Sequence, residues 1–343
     1  LAGCATPQQT STGAILPERA ADAGAQPAGA DVQPAGIVQI PGAPDSPGVI
    51  GSDGRGNEWF AECESTIATI DESTKKFSQF NTSAAQSCGG GVALGRDGGG
   101  MWFTDYFDGK VGFIDLKSHV FHVYQIPTSN SYPVAIAAGP DNAMWFTESA
   151  AGPHGNGHGK IGRVDLSVHP YKITEYKLPY YGGMGTPYEI TLGSDGALWF
   201  TDEHNDGIGR ITTSHQIAFY PVPDTPEPFG ITSGADKALW FTAILSGQIG
   251  RMDTAGNVSL FGTQNIYAQP VLITKHDSDL WFTEQEADRI GCINSTSHAI
   301  HRYAVPRGSS PYGISFGSDG KLWFTEPGTN SLGTLVPPDP CRG

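Results

Sequence analysis

Seven tryptophans constrain this chain more than any other feature, because they recur at nearly even spacing. Trp59, Trp102, Trp145, Trp199, Trp240, Trp281 and Trp323 lie 43, 43, 54, 41, 41 and 42 residues apart, and the 343-residue sequence has no others. Each sits in a version of one block, fullest in Leu198-Trp199-Phe200-Thr201-Asp202. Repeats of this length, with short strands and Asp-Gly turns, are the pattern of a β-propeller. The predicted fold is all-β: a seven-bladed β-propeller with four antiparallel strands per blade. Length alone would suggest two domains, but a tandem array that closes on itself makes one.

The unit from Pro187 to Pro221 shows how a blade is written. Strand a covers Tyr188 to Leu192, and Asp195-Gly196 then supplies the positive φ of a tight hairpin. Strand b runs from Ala197 to Thr201, strand c from Gly207 to Ile211, and strand d from Gln216 to Tyr220. Leu198 and Phe200 point to one face and Trp199 to the other. Both faces are bulky and apolar, as expected for a sheet sandwiched between two neighbours. A second column, in strand c, is small throughout: Ala68, Gly112, Gly162, Gly209, Gly250, Gly291 and Gly333. Strand glycines mark close approach by another group, and the expected group is an indole from a neighbouring blade.

The ends carry separate signals. Leu1-Ala2-Gly3-Cys4 resembles the lipobox of bacterial lipoproteins, in which the cysteine is acylated after signal cleavage. Residues 1–35 read as lipobox and flexible tether, since they have almost no large apolar side chains to bury. Residues 36–337 form the propeller and 338–343 a tail. Ile37-Val38-Gln39-Ile40-Pro41 reads like a d strand, while the last unit, Pro311 to Val336, has strands a, b and c only. The N-terminal segment is therefore expected to cross over and complete the last blade, leaving no open sheet edge. The expected location is exported, at the periplasmic or cell-surface side, with the membrane reached through a lipid anchor only, and the ring is expected as a monomer. A net charge of -15 argues against nucleic acid as a partner. In an oxidising compartment the other cysteines have two readings, Cys63–Cys88 and Cys292–Cys341 disulfides or free buried thiols.

Three sets of residues could carry chemistry. Glu62, Asp105, Glu148, Asp202, Glu284 and Glu326 stand three residues after their tryptophans, with Ala243 in the seventh copy. They either ring the channel and recruit a cation such as Mg²⁺ or Ca²⁺, or belong to the repeat, capping loop amides or pairing with Arg163, Arg210 and Arg251. His154, His158 and His204, in loops of adjacent blades, are a second candidate metal set. His119, His122, His169, His215, His276, His298 and His301 fall in turns or outer strands and are expected on the solvated surface. The column after each blade's proline, Gly48, Gly91, Val134, Tyr188, Phe229, Val271 and Tyr312, adds an aromatic set. With Tyr132, Tyr180 and Tyr181 it could stack on a small molecule or carbohydrate, or on a protein ligand. Insertions at 150–159 and 180–185 lengthen the same face, the usual binding face of a repeat array.

The repeated Pro-x-x-Ile, Leu-Trp-Phe-Thr-Glu and Ile-Gly-Arg blocks resemble virginiamycin B lyase, the streptogramin B lyase family, over roughly residues 37–336. The resemblance implies a seven-bladed enzyme that uses Mg²⁺ and opens a cyclic depsipeptide by elimination at its ester. It implies a histidine base directly after the last blade's proline and a second histidine one unit earlier. Here those positions are Tyr312 and Val271, and the glutamate implied before the last proline is Ser310. Tyr312, Glu326 and Glu284 are the candidate catalytic residues that remain. The expected function is ligand or partner binding on the loop-rich face without the lyase set; the alternative is a divergent metal-dependent lyase or lactonase acting on a cyclic ester. The anchor is testable first: a palmitate analogue should label the wild-type chain and not Cys4→Ala, and equal labelling of both would remove the lipoprotein reading.

Overall fold

The structure is a computed structural model that describes residues 37–341 apart from 44–45, 63–65, 82–88, 150–158, 180–184, 225, 264 and 339–340. Cys4 and the tether, Cys63, Cys88, His154, His158, Tyr180 and Tyr181 lie outside the described residues. Seven four-stranded antiparallel sheets follow one another around a ring. Blade 4 is typical, with strands Pro187–Leu192, Leu198–Asp202, Gly207–Ile211 and Ile217–Pro221. Neighbouring a strands touch all the way round, including the first against the last. Blade 7 takes its fourth strand from the N-terminal side: Val38–Pro41 pairs with Ser331–Leu335, Val38 opposite Thr334 and Pro41 opposite Ser331. Ile40 is thereby buried with Trp323 and Phe60, so the closing strand joins blade 7 to blade 1.

Between blades, each tryptophan meets the apolar residues that flank the next one. Trp145 of blade 3 shares a buried cluster with Leu198 and Phe200 of blade 4, and Trp199 shares one with Leu239 and Phe241 of blade 5. Side chains of this size contribute roughly 1.5–3 kcal/mol each on burial. In blades 1, 3, 4, 5 and 7 the indole N–H is satisfied within its own blade. Trp145, Trp199, Trp240 and Trp323 donate to Asp141, Asp195, Asp236 and Asp319 of the preceding turn at 3.0–3.2 Å. The other carboxylate oxygen of three of these aspartates takes Arg163, Arg210 and Arg251 at 2.7–2.8 Å. The strand-c arginines thus pair with the turn aspartates and not with the acids at the end of strand b.

The small column has a different occupant from the one expected. A Cβ on Gly162, Gly209, Gly250, Gly291 or Gly333 would lie 2.0–2.2 Å from the ring of Phe146, Phe200, Phe241, Phe282 or Phe324. These phenylalanines belong to strand b of the same blade and stand directly opposite the glycines in register, as Phe200 does opposite Gly209. The indole is on the other face and never competes for that space. Blade 2 also corrects the column after the proline: Gly89 pairs with Asp105 as Pro187 pairs with Asp202, so its member is Gly90 and not Gly91.

The turn histidines are more than solvated surface. His119, His215 and His298 take positive φ in the c–d turns of blades 2, 4 and 6. Each packs against an aromatic ring of the preceding blade, Phe80, Tyr176 and Phe261 respectively.

A ring of threonines completes the assembly. Thr104, Thr147, Thr201, Thr242, Thr283 and Thr325 are fully buried. Each hydroxyl accepts an amide from strand a of its own blade and donates to a carbonyl at the start of strand a in the next. Thr201, for example, accepts from Glu189 at 3.0 Å and donates to Phe229 at 2.7 Å. Thr325 closes the circle on Gly48. Blade 1 has Ala61 in this place.

Blade 1 has a second irregularity. Glu58 stands where blades 2–7 have Met101, Met144, Leu198, Leu239, Leu280 and Leu322. It is fully buried, and neither carboxyl oxygen makes a hydrogen bond of normal geometry. Burial pushes it up to about 8, helped by Glu72 and Asp53 and opposed by the nearby Ser52 and Ser315 hydroxyls. A carboxyl whose folded pKa exceeds its unfolded value favours the fold below the unfolded value, near 4.5, and that contribution is lost as pH rises through about 8. At about 1.4 kcal/mol per unit, the loss is several kcal/mol. Glu58→Leu should therefore raise the melting temperature strongly at pH 8.5 and much less at pH 5; equal shifts at both would contradict a buried ionisable group there.

Candidate functional site

The start of strand a faces the channel, and the backbone there is held on both sides. Strand a carries a register shift between its proline and the residue three on, as between Pro187 and Ile190. The threonine ring fixes the carbonyl of the residue after the proline: Thr147 donates to Tyr188, Thr201 to Phe229, Thr242 to Val271 and Thr283 to Tyr312. The side chains so placed converge. Tyr188 of blade 4 reaches Tyr312 of blade 7, Oη to Oη at 3.1 Å, and its ring lies 3.9 Å from that of Phe229. Tyr132, on the loop into blade 3, packs against Tyr106 at 5.2 Å, and both share the buried cluster of Tyr188, Phe229, Val271 and Tyr312. Gly48 and Gly90 add nothing on the blade 1–2 side.

The aromatic set therefore forms a floor. Tyr132, Tyr188, Phe229 and Tyr312 are each no more than 8% exposed, so they are packed on one another and present little open face. Burial pushes Tyr312 and Tyr106 up to about 12, and raises Tyr188 well above the ordinary phenol range with Tyr312 and Glu203 adding to it. All three are neutral near pH 7. They donate or accept hydrogen bonds but do not serve as bases.

One acid beside this floor escaped the sequence reading. Glu189 follows Tyr188 in a column otherwise made of Val49, Gly91, Ala135, Gly230, Leu272 and Gly313. Half-buried against protein on most sides, its carboxyl is pushed up to about 7 by desolvation. Glu203, in the short 3-10 turn Glu203–Asn205, acts on Tyr106, Tyr188 and Tyr312. The signal for Glu189 was its isolation as the single charge in a column of small and apolar residues. Above the floor the loop-rich face carries exposed Phe107, Leu245, Ile266 and Tyr267. Gly247 packs closely on Asn265 and Ile266, which brings the loop bearing Leu245 against the loop bearing Ile266 and Tyr267.

The strand-b acids each sit in their own blade, engaged with its outer strands or loops. Glu62 accepts from Thr66 at 2.6 Å and Gln79 at 3.1 Å. Asp105 caps Asp108, and Asp202 accepts from Thr186 and Asn205. Burial pushes Glu148 up to about 9, with Glu175 beside it. Glu284 pairs with Arg302 at 3.3 Å, and Glu326 accepts from Gln39 of the closing strand at 2.9 Å. His204 is exposed, its amide bonded to Thr186. Mg²⁺ or Ca²⁺ needs several oxygen ligands around one point. Among the described residues no three His, Cys, Asp or Glu side chains are grouped so as to hold a metal. The described acids do not fit such an ion. Away from this face, Cys292 of blade 6 forms a disulfide with Cys341 of the tail, their Cα atoms 6.4 Å apart.

Comparison with known proteins agrees with this geometry. Residues 35–335 match the virginiamycin B lyase family. A streptogramin B lyase structure is 33% identical, with 87% of this chain and 96% of that one covered at a TM-score of 0.79. Virginiamycin B lyase from Staphylococcus aureus is 31% identical, with 88% and 99% covered at 0.79. A catalytically inactive histidine-to-alanine variant of the S. aureus enzyme, solved with quinupristin, superposes at 0.78 with 33% identity and the same coverage. The virginiamycin B lyase of Mycolicibacterium smegmatis is 45% identical over 38 residues, 11% of this chain and only 14% of that relative's length. A spectrophotometric titration gives the first check of the site: the phenols of Tyr106, Tyr188 and Tyr312 should ionise only well above pH 10, and Tyr312→Phe should remove one late step. Complete ionisation of all tyrosines by pH 10 would mean that the floor is open to water.

Proposed function

This chain belongs to the virginiamycin B lyase family, and on that premise we propose that it is an exported, lipid-anchored propeller that binds a ring-bearing small molecule or carbohydrate on its loop-rich face without the family's elimination chemistry. The observation that carries the reading is the Tyr188–Tyr312 pair. Elimination needs a base whose pKa lies near the working pH and which reaches the proton to be removed. The position that the resemblance assigns to that base holds Tyr312, buried, hydrogen-bonded to Tyr188 and protonated near neutral pH. Recognition without turnover asks for less: a firm floor and an apolar lip. The neutral tyrosines and Phe229 supply the floor, and Leu245, Ile266 and Tyr267 the lip. Ala243, in place of the acid found in the other six blades, removes a charge from the base of that lip.

Glu189 favours a second reading. A carboxyl pushed up to about 7 beside the floor is matched to general-base work near neutral pH, and it would serve a divergent lyase or lactonase acting on a cyclic ester. One assay separates the two. Quinupristin, incubated with the protein and Mg²⁺, should bind with its ring intact, and Leu245→Ser with Tyr267→Ser should weaken binding by about tenfold, the effect of removing about 1.4 kcal/mol. Ring opening that stops with chelator or with Glu189→Gln would sink the binding-only reading and establish the second.

A further inference from the structure

The seam between blades 7 and 1 holds a cavity of ~540 Å³ on the face opposite the aromatic floor, among the a–b and c–d turns. Arg55, Lys75 and Lys321 line it, together with Asp71, Glu72 and Asp319. Formal charges cancel, so charge counting decides nothing. Hydrogen-bond capacity does.

The three carboxylates are already engaged by the fold. Asp71 Oδ1 accepts the amides and hydroxyls of both Ser73 and Thr74, which hold it down to about 2. Glu72 reaches across the seam, accepting from the Ser318 amide at 2.9 Å, the Ser318 hydroxyl at 2.8 Å and the Asp319 amide at 2.8 Å. Asp319 accepts from the Lys321 amide, Lys321 Nζ and Trp323 Nε1.

The cations are used far less. A guanidinium has five N–H donors and an ammonium three. Among the described residues, Arg55 donates to the Gly98 carbonyl, Lys75 Nζ to the Glu72 carbonyl, and Lys321 Nζ to Asp319. Lys75 also lies over the Trp323 ring at 4.2 Å. Loss of hydration, and then Lys321 opposite it, lower its pKa. The cavity thus offers spare donors and repelling ammoniums, with most of its own acceptors already occupied.

We propose that this cavity binds the phosphate group of a small organic phosphate, with Arg55 and Lys75 of blade 1 and Lys321 of blade 7 as its donors. A doubly charged oxyanion would fill the unused N–H groups and separate the two ammoniums. The volume leaves room for a sugar-sized remainder. Because the donors come from both sides of the closing seam, occupancy also ties the last blade to the first, and binding to the folded ring alone raises its stability.

The probe is glucose 6-phosphate, with glucose and inorganic phosphate as the comparison arms, followed by calorimetry and by thermal melting at constant ionic strength. Saturable binding is expected for glucose 6-phosphate, weaker binding for phosphate and none for glucose. The melting temperature should rise in step with occupancy. Lys321→Gln should weaken binding at least tenfold while leaving the far-ultraviolet circular dichroism unchanged. Should Lys321→Gln fail to fold, Lys75→Gln carries the same expectation. Absence of saturable binding by the wild type at millimolar phosphate ester, binding of glucose equal to that of its phosphate, or undiminished affinity in the folded variant would each overturn the site.

Discussion

Six threonine hydroxyls hold this ring together at its narrowest point. Each accepts a strand-a amide in its own blade and donates to a strand-a carbonyl in the next, from Thr104 with Gly91 and Val134 to Thr325 with Gly313 and Gly48. Both groups are buried, where an unmet amide or carbonyl costs about 1–3 kcal/mol. A hydroxyl is the smallest side chain that donates and accepts at once. The apolar sandwich of indole and phenyl supplies most of the burial, but oil-like contact alone does not set how far one blade is rotated about the next. The threonines set it. They also place the carbonyls of Tyr188, Phe229 and Tyr312, so the bonds that join blades also aim the floor residues.

The seam between blades 7 and 1 departs from this plan in several ways. While Ala61 breaks the threonine series at the adjoining junction of blades 1 and 2, Glu58 puts an acid where an apolar residue belongs and the fourth strand of blade 7 comes from the far end of the sequence. In partial compensation, Ile40 enters the core there, Gln39 binds Glu326, and Glu72 binds the Ser318 turn. The least regular part of the ring is also where the cavity lies. Irregularity of this sort in an otherwise repetitive structure marks the places where a repeat sequence has been bent to another use or left less stable.

Much of the fold was legible because it depends on spacing. The tryptophan period gave the blade count, the missing d strand gave the closure, and the compartment argument left Cys292–Cys341 as one of two readings, which the disulfide resolves. What spacing does not give is which of two nearby rings fills a gap. Gly209 could have faced an indole of a neighbouring blade or Phe200 of its own; the cross-strand register, with Phe200 directly opposite, decides for the phenylalanine. The strand-c arginines were within reach of two acids, and the turn aspartate won because it already accepts the indole N–H on the same side. At the candidate site the aromatic column was found, but whether Tyr188 and Tyr312 stand apart or meet is a distance across the channel. That distance joins residues 124 apart in sequence and has no local signature. Glu189 had a signature, a charge alone among small residues, that only an aligned column reveals.

The crossed-over closing strand also has a bearing on time. Val38 pairs with Thr334, so the segment that completes the ring is made 296 residues before its partner, 334 less 38. At roughly 5–20 residues per second, synthesis leaves that strand waiting on the order of 15–60 s. Blades 1–6 pair their strands locally and form in order as they emerge. The seventh cannot finish until the chain's beginning is fetched back to its end. During that interval a length of apolar strand, Ile37 and Ile40 included, is unpaired, and once Ser331–Leu335 is made its outer edge is open as well until the two meet. The ring is thus assembled quickly and sealed late, and whatever shields those two edges in the meantime governs how much of the protein reaches its closed form.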